Sequence, residues 1–279
     1  MANTQQQDPL DILGDLFTSG GDQDPDDSSS MTLIEHLEEL RWRIFKSLIA
    51  IVLFAIVAFI FREPILNFLT WPLPKTANAF TALPGHKSQS LVVGGVGEGF
   101  TTYLLVSAAV GFLAALPVIL YQVWAFVAPG LYAHEKRYAL PFIIVGSILF
   151  VAGLALGYVV LQYPVSWLIN FASDNFTELV SAGNYFTFVA YFLLAFGIVF
   201  EIPLVLTFLS LVGVITAETL TRKRAAAHVG MWIAATVLTP GADFYSPIIL
   251  GITMSCLFEL SVLFIKITAR MRARSESAA

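Results

Sequence analysis

Charged residues and cysteine are both scarce in this sequence. Only 13% of its 279 residues are Asp, Glu, Lys or Arg, whereas 57% are hydrophobic and the mean hydropathy is +0.77. About a quarter of the residues in a soluble domain are charged, so this composition excludes an ordinary soluble protein and indicates an integral membrane protein. The single cysteine, Cys256, excludes an internal disulfide bond, and we expect it to pack inertly inside the last span.

Long stretches of the chain lack Asp, Glu, Lys and Arg altogether. They are 47–61, 99–134, 138–173, 179–200, 202–217, 225–242 and 244–258. About 20 apolar residues are needed to cross roughly 30 Å of hydrocarbon. With one glutamate allowed inside the fourth span and one inside the sixth, the sequence predicts an all-α membrane protein of six spans. The predicted spans lie near 44–61, 102–126, 139–161, 186–212, 225–238 and 246–265.

Lysine and arginine are distributed unevenly between the two sides of these spans. One set of flanks holds twelve of them and the opposite set holds three. Cytoplasmic flanks carry the excess of positive charge, so we expect both termini in the cytoplasm. The sequence therefore predicts a multi-pass protein with both termini on the cytoplasmic side of its membrane.

The two ends of the chain differ in charge from the predicted membrane domain, 31–267. Residues 1–30 contain seven aspartates and no Lys or Arg, which predicts a disordered cytoplasmic tail. They lack the basic start and apolar core of a signal peptide. Residues 268–279 form a second, basic cytoplasmic tail.

The predicted fifth span is short. Fourteen residues separate Arg224 from Thr239, which is about 21 Å of helix at 1.5 Å per residue. Either the helix begins before the arginines, or the bilayer is thinner around this part of the protein.

Elsewhere, prolines such as Pro117 and Pro203 predict kinked spans, and glycines such as Gly153 predict close helix packing.

The first helix begins before the membrane, in the segment TLIEHLEELRWRIFK. Thr32 and Glu35 have the spacing of a capping box, which predicts a helix start at Thr32. His36, Glu39 and Arg43 fall along one stripe of this helix. From the residues alone, Glu39 is expected to pair with Arg43 four residues later.

Several motifs together resemble those of one protein family. HLEELRWR is similar to the HLxELRxR signature of TatC, the multi-spanning subunit of the twin-arginine, Sec-independent protein translocase. PVILYQVWAFVAPGLYAHEKR at 117–137, FGIVFEIP at 196–203, TP followed by Asp within 239–243, and CLFEL at 256–260 follow in the family's order. The resemblance covers roughly residues 31–267.

The resemblance implies a receptor for precursors whose signal peptides carry two consecutive arginines. Such precursors are exported already folded, using the proton-motive force. The implied partners are single-span subunits of the TatA and TatB types, twin-arginine precursors and membrane lipid, within a multimeric complex. The implied location is the cytoplasmic membrane of a bacterium or archaeon. No cofactor and no nucleic acid is expected.

In the family, two glutamates help to form the arginine-recognition site, and here they correspond to Glu39 and Glu135. Two arginines suit two carboxylates, because a guanidinium group donates paired, charge-assisted hydrogen bonds. Residues of the same motifs complete the candidate signal-peptide site: His36, Arg41, Gln122 and Phe126. For Gln122 and Phe126 a structural role is an equal alternative.

Further polar residues in and beside the spans are candidates for partner contact or proton-linked roles, namely Glu201, Thr236, Thr239 and Glu259. Glu201 lies within an apolar run, so we expect it to be protonated, hydrated or hydrogen-bonded. For Glu259 a structural role is favoured, because Lys266 and the membrane interface are near. Glu98 and Asp243 are outer-side candidates, and Asp243 is predicted to cap the last helix.

One motif departs from the family. The common form is TPPD followed by Ser-Gln, but here two residues separate Pro240 from Asp243, and Pro247 stands in place of the glutamine.

The main rival function is a proton-coupled small-solute transporter, which also uses intramembrane carboxylates. An enzyme is not predicted, because the four histidines are scattered and no metal-ligand spacing occurs.

Overall fold

The structure, a computed structural model, describes residues 33–73, 91–128, 139–171, 180–241 and 243–277. Within these ranges the regular elements are helices, and an isolated parallel bridge joins Val92 to Ser181. The helices are α1 Leu33–Ile60, α2 Arg62–Leu69, α3 Glu98–Val127, α4 Ala139–Val160, α5 Gln162–Asn170, α6 Ala182–Val199, α7 Ile202–Leu211, α8 Ala217–Arg222, α9 Arg224–Leu238 and α10 Tyr245–Ser277. The chain divides into two units, Met1–Trp42 and Arg43–Ala279.

Five helical stretches in the described ranges are long and apolar enough to cross a membrane. They are Ile34–Ile60, Glu98–Val127, Ala139–Asn170, Ala182–Leu211 and Tyr245–Met271. Each contains at least 18 residues of high hydropathy with very few charges, as a span requires. The protein is therefore an all-helical membrane protein, and the sixth span remains a prediction.

The predicted fifth span corresponds to α9, which has 15 residues. Lys223 separates α9 from the short helix α8, because its backbone angles (φ −94°, ψ 12°) leave the helical region. One continuous helix beginning before the arginines is therefore not present. At about 22 Å, α9 is shorter than the hydrocarbon layer, and a thinner bilayer around it stays a prediction.

The fourth span is broken between α6 and α7, at Phe200 and Glu201. Pro203 sits in the first turn of α7 and has no backbone N–H to donate to the carbonyl of Val199. The backbone N–H of Glu201 bonds to Ile198, three residues back, at 3.0 Å instead of continuing the regular four-residue pattern. Proline thus ends one helix and starts the next, and it places Glu201 at the junction.

The core forms where α4 and α6 approach each other closely. Phe150, Phe192 and Phe196 are almost completely buried there. A Cβ on Gly197 would lie 2.6 Å from the Phe150 ring, and one on Gly153 would lie 2.7 Å from the backbone oxygen of Phe196. Glycine on each helix therefore makes room for a phenylalanine of the other, as small residues do between membrane helices.

A glycine also allows α1 to pack closely against α3. A Cβ on Gly111 would lie 2.6 Å from the backbone nitrogen of Ala55. Because backbone atoms cannot rotate away as a side chain can, any larger residue at this position must separate the two helices.

Helix α2 is attached to the bundle at its last turn. The hydroxyl of Tyr158 donates to the backbone oxygen of Phe68 at 2.6 Å, and the hydroxyl of Tyr185 donates to that of Leu69 at 2.7 Å. The rings of Phe68 and Tyr158 also stack, with centroids 4.3 Å apart. The last two carbonyls of the helix thus receive donors from α4 and α6, and that of Phe68 also accepts the backbone N–H of Trp71 at 3.2 Å.

The prediction that Cys256 packs inside the last span is wrong. Its side chain is exposed on the surface of α10. The neighbouring positions Met254 and Phe258 are buried, so the face of α10 that meets the bundle passes on either side of the cysteine.

Candidate functional site

The N-terminal part of α1 carries the first candidate residues. The carboxylate of Glu39 lies 3.7 Å from Nδ1 of His36, one turn earlier, and 19% of its side chain is exposed. The guanidinium group of Arg41 lies 5.8 Å from the centre of the Trp42 ring. Thr32, the predicted cap, lies outside the described residues. A partly exposed carboxylate on a regular helix can accept hydrogen bonds from an arginine.

The last turns of α3 hold Gln122 and Phe126, which are one helical turn apart. Gln122 is buried, and its Oε1 has no hydrogen-bond partner among the described residues. Between them Trp124 packs against Phe142 of α4 and Phe208 of α7, with ring centroids 5.0 and 5.5 Å away. Three helices therefore fix the orientation of this turn. Glu135, the second predicted arginine ligand, lies outside the described residues.

Glu201 is placed inside the bundle by the break between α6 and α7. Both of its carboxylate oxygens are buried, and neither has a hydrogen-bond partner within the described ranges. A Cβ on Gly146 would lie 3.2 Å from Oε2, so the glycine of α4 provides the space for this side chain. Of the three expected alternatives, the described residues supply no hydrogen bond, and protonation or hydration of Glu201 stays a prediction.

Glu259 is the centre of a polar cluster between α9 and α10. Its Oε1 accepts hydrogen bonds from Nε of Arg224 at 2.5 Å and from Nε2 of His228 at 2.8 Å. The other ring nitrogen of His228 lies 3.2 Å from Oγ of Ser255. We call Arg224, His228, Ser255 and Glu259 the Glu259 cluster. It gives α9 a polar attachment to α10 beside the apolar contacts.

The order Ser255, His228, Glu259 within the cluster resembles that of a hydrolase triad, but the surroundings do not suit acyl transfer. Ser255 lies in the middle of α10, where backbone N–H groups bond within the helix and are not free to form an oxyanion hole. Arg224 also donates to the same Glu259 oxygen as His228. The cluster is therefore suited to joining helices and not to catalysis.

The sequence did not identify Arg224 and His228 as partners of Glu259. The available signal was spacing: Arg224 and His228 are four residues apart on α9, as are Ser255 and Glu259 on α10. Residues with this spacing share a helix face. The sequence does not, however, give the register in which two helices face each other.

Glu98, at the start of α3, joins two loop segments. Its Oε2 accepts the backbone N–H of Gly94 at 2.5 Å and that of Gly95 at 3.2 Å. Its Oε1 accepts the hydroxyl of Ser181 and the backbone N–H of Gly183, the latter at 3.0 Å. One carboxylate thus holds the entry to α3 against the entry to α6.

Asp243 lies just before α10. Its two carboxylate oxygens accept the backbone N–H and the hydroxyl of Ser246 at 2.6 and 2.8 Å. Asp243 and Ser246 are both buried. These hydrogen bonds are those of a helix cap, as predicted for Asp243.

The two threonines of α9 and its C-cap differ in accessibility. Thr236 is exposed, and its hydroxyl donates to the backbone oxygen of Trp232 at 2.8 Å. Thr239 is buried, and its hydroxyl donates to Ala235 at 3.0 Å. Thr236 is therefore the one of the two that a partner on this face of α9 could reach.

The described residues contain no cluster of His, Cys, Asp and Glu suited to a metal ion.

Comparison with known proteins gives concordant results. The family model of the Sec-independent protein translocase protein TatC matches residues 35–252. TatC of Desulforapulum autotrophicum is 36% identical over 246 residues, 88% of each chain. TatC of Escherichia coli K12 is 35% identical over 233 residues, 83% of this chain and 87% of that protein. These matches do not favour the solute-transporter alternative.

A solved structure agrees in fold. A crystal structure described as the twin-arginine translocase receptor TatC superposes with a TM-score of 0.70 at 32% sequence identity. The match covers 83% of this chain and 99% of that one. The resemblance seen in the motifs is thus confirmed over most of the chain. This membrane protein belongs to the TatC family of Sec-independent protein translocase proteins.

Proposed function

We propose that this chain is the receptor subunit of a twin-arginine translocase and binds twin-arginine signal peptides at its cytoplasmic face. The observation that carries the proposal is the match to a solved twin-arginine translocase receptor over 83% of the chain. The HLEELRWR motif supports it, since it places Glu39 on the first helix with part of its side chain exposed.

The proposed arginine ligands are Glu39 and Glu135. Each carboxylate takes one guanidinium group, whose planar fork matches two carboxylate oxygens. At an effective dielectric constant of about 20, one contact at 4 Å carries a Coulomb energy of roughly 4 kcal/mol before desolvation. A lysine ammonium lacks the fork, which provides a physical basis for discrimination. His36, Arg41, Gln122 and Phe126 are proposed to line or support this site.

The proposed topology has six spans with both termini in the cytoplasm of a bacterium or archaeon. It is supported by the uneven distribution of lysine and arginine and by five long apolar stretches. Helix α9 is the sixth crossing in this proposal, and the bilayer thins to match its 15 residues.

Single-span subunits of the TatA and TatB types are the proposed partners in a multimeric complex. The exposed face of α9 around Thr236 and the buried carboxyl group of Glu201 are the proposed contact or proton-linked positions. A buried carboxyl group in a membrane protein is a natural site for a proton-linked step driven by the proton-motive force. Crosslinking from a photoreactive residue at position 236, with and without precursor, tests the contact.

The receptor proposal is tested by capture of a twin-arginine precursor on the purified chain. We expect Glu39→Ala to lose capture, whereas Glu38→Ala, the adjacent exposed glutamate, retains it. A precursor with two lysines in place of the arginines should bind weakly to both. Undiminished capture by Glu39→Ala would show that this carboxylate does not read the arginines.

Export in cells provides an independent test. A strain that lacks its own TatC and receives this chain, with its partner subunits, should export a folded twin-arginine reporter. A solute transporter would not restore export, so a negative result with a well-inserted chain contradicts the proposal.

A further inference from the structure

A groove of about 580 Å³ lies between α5 and the start of α10. Its lining includes the rings of Tyr163, Trp167, Phe171 and Tyr245 and the polar side chains of Gln162 and Ser166. No Asp, Glu, Lys or Arg is among the described residues that line it. The volume falls within the roughly 300–1,000 Å³ of small-molecule sites, and the lining is both aromatic and polar.

The groove lies where one candidate span ends and another begins, which is where lipid headgroups are expected. The stretch Ala139–Asn170 has 32 residues, and Leu161, between α4 and α5, keeps helical backbone angles. About 48 Å of helix exceeds the roughly 30 Å of hydrocarbon, so the stretch is long enough for its α5 end to reach the headgroup region. The groove also includes Tyr245, the first residue of α10, which is itself a membrane span.

The aromatic rings of the groove meet at an angle around Trp167. The ring of Phe171 lies 4.8 Å from that of Trp167 at an interplanar angle of 40°. The ring of Tyr245 lies 6.2 Å away at 65°. Phe244, which is not among the described residues that line the groove, stacks on one face of Tyr245 and lies 5.1 Å from Trp167 at 80°. Rings set at such angles border the groove on more than one side. An ammonium group is attracted to the faces of aromatic rings, most strongly to that of tryptophan.

The polar side chains offer hydrogen-bond donors beside these rings. Nε2 of Gln162 donates to the backbone oxygen of Val159 at 3.2 Å. A carboxamide nitrogen carries two N–H groups, so among the described residues Gln162 keeps a second N–H and its carbonyl oxygen for a ligand. Ser166, one turn later, adds a hydroxyl group at a half-buried position.

We propose that this groove binds the headgroup of a zwitterionic phospholipid. The ammonium group packs against the faces of Trp167 and Tyr245, and the phosphate accepts hydrogen bonds from Gln162 and Ser166. The ammonium and phosphate charges of a zwitterionic headgroup balance each other, so such a headgroup can bind without a charged side chain of the protein. None of the described lining residues carries a positive charge, so an anionic headgroup should bind less well.

The proposal is tested by native mass spectrometry of the full chain in detergent with equimolar phosphatidylethanolamine and phosphatidylglycerol. We expect the wild-type chain to retain about threefold more of the zwitterionic lipid, as one exposed cation–π contact allows. Trp167→Leu should abolish this preference. Trp71→Leu, which removes another exposed tryptophan outside the groove, should keep it.

Equal or stronger retention of phosphatidylglycerol by the wild-type chain overturns the proposal. So does a preference that survives in Trp167→Leu or disappears in Trp71→Leu. If Trp167→Leu does not fold, Tyr245→Leu replaces it, since Tyr245 is the other proposed ammonium contact and is 37% exposed. Loss of the preference in Tyr245→Leu supports the site, and its retention refutes it.

Discussion

Removing the charge of Glu259 should weaken the attachment of α9 to α10. The substitution Glu259→Gln keeps the size of the side chain but replaces a carboxylate with a neutral amide. Arg224 and His228 then lose a charged acceptor that lies 2.5 and 2.8 Å from their nitrogens. The cluster is the polar part of this helix contact, so the effect should appear in the stability of the fold.

The expected magnitude follows from the exposure of the three side chains. A buried hydrogen bond to a charged group contributes about 1.5–3 kcal/mol, and an exposed ion pair contributes roughly 0.2–1 kcal/mol. The side chains of Arg224, His228 and Glu259 are 57%, 30% and 34% exposed, which places the cluster between these limits. We therefore expect Glu259→Gln to cost about 1–2 kcal/mol, and the Arg224–Glu259 pair to be coupled by about 1 kcal/mol.

The assay is a double-mutant cycle on the purified chain. Unfolding in detergent is followed by helicity for the wild type, Glu259→Gln, Arg224→Met and the double variant. The matched control is Glu218→Gln, an exposed glutamate on the neighbouring helix α8. It should change the free energy of unfolding by less than about 0.5 kcal/mol.

Additive effects of Glu259→Gln and Arg224→Met would refute the argument, because additivity means that the two groups do not interact. An equally large effect of Glu218→Gln would also refute it, since the loss would then reflect net charge and not the cluster. A second cycle with His228→Phe should give a smaller coupling, because one partner of this hydrogen bond is uncharged when the imidazole is neutral.

The remaining predictions concern close packing and caps. Gly111→Ala should lower the free energy of unfolding by about 1–3 kcal/mol, because the new Cβ meets the backbone of Ala55. Gly230→Ala is the control, because a Cβ there has open space, and it should not destabilise the chain. Both are measured by an unfolding titration in detergent. Asp243→Ala should cost about 1 kcal/mol through loss of the helix cap, measured as a lower Tm that Asp243→Asn partly restores. Glu98→Ala should speed hydrogen exchange of the amides it binds, and unchanged exchange in mass spectrometry would contradict its role.

Helix positions could be predicted from the sequence where the signal was local. Long uncharged stretches indicated the apolar helices, because a span must satisfy its backbone within itself. Pro203 indicated a bent fourth span, and the chain does break beside it. Asp243 was recognisable as a cap since its partner, Ser246, is three residues away.

Contacts between distant segments could not be predicted in the same way. Glu98 bonds to Ser181 and Gly183, more than 80 residues later, and nothing in the local pattern near Glu98 points to them. Likewise the partners of Glu259 depend on the register of α9 against α10. The proposed arginine site depends on Glu39 and Glu135, whose roles rest on the family motifs.

Cys256 lies in the apolar stretch Tyr245–Met271 with its side chain at the surface of the chain, so an apolar thiol probe in detergent can label it singly. A spin or fluorescent probe on this thiol sits one residue from Ser255 and three from Glu259, with no other cysteine to compete for it. Its signal would report local motion of α10 while precursor, partner or lipid is added. Movement at the α9–α10 contact can therefore be followed in the unmodified sequence, without first building a cysteine-free background.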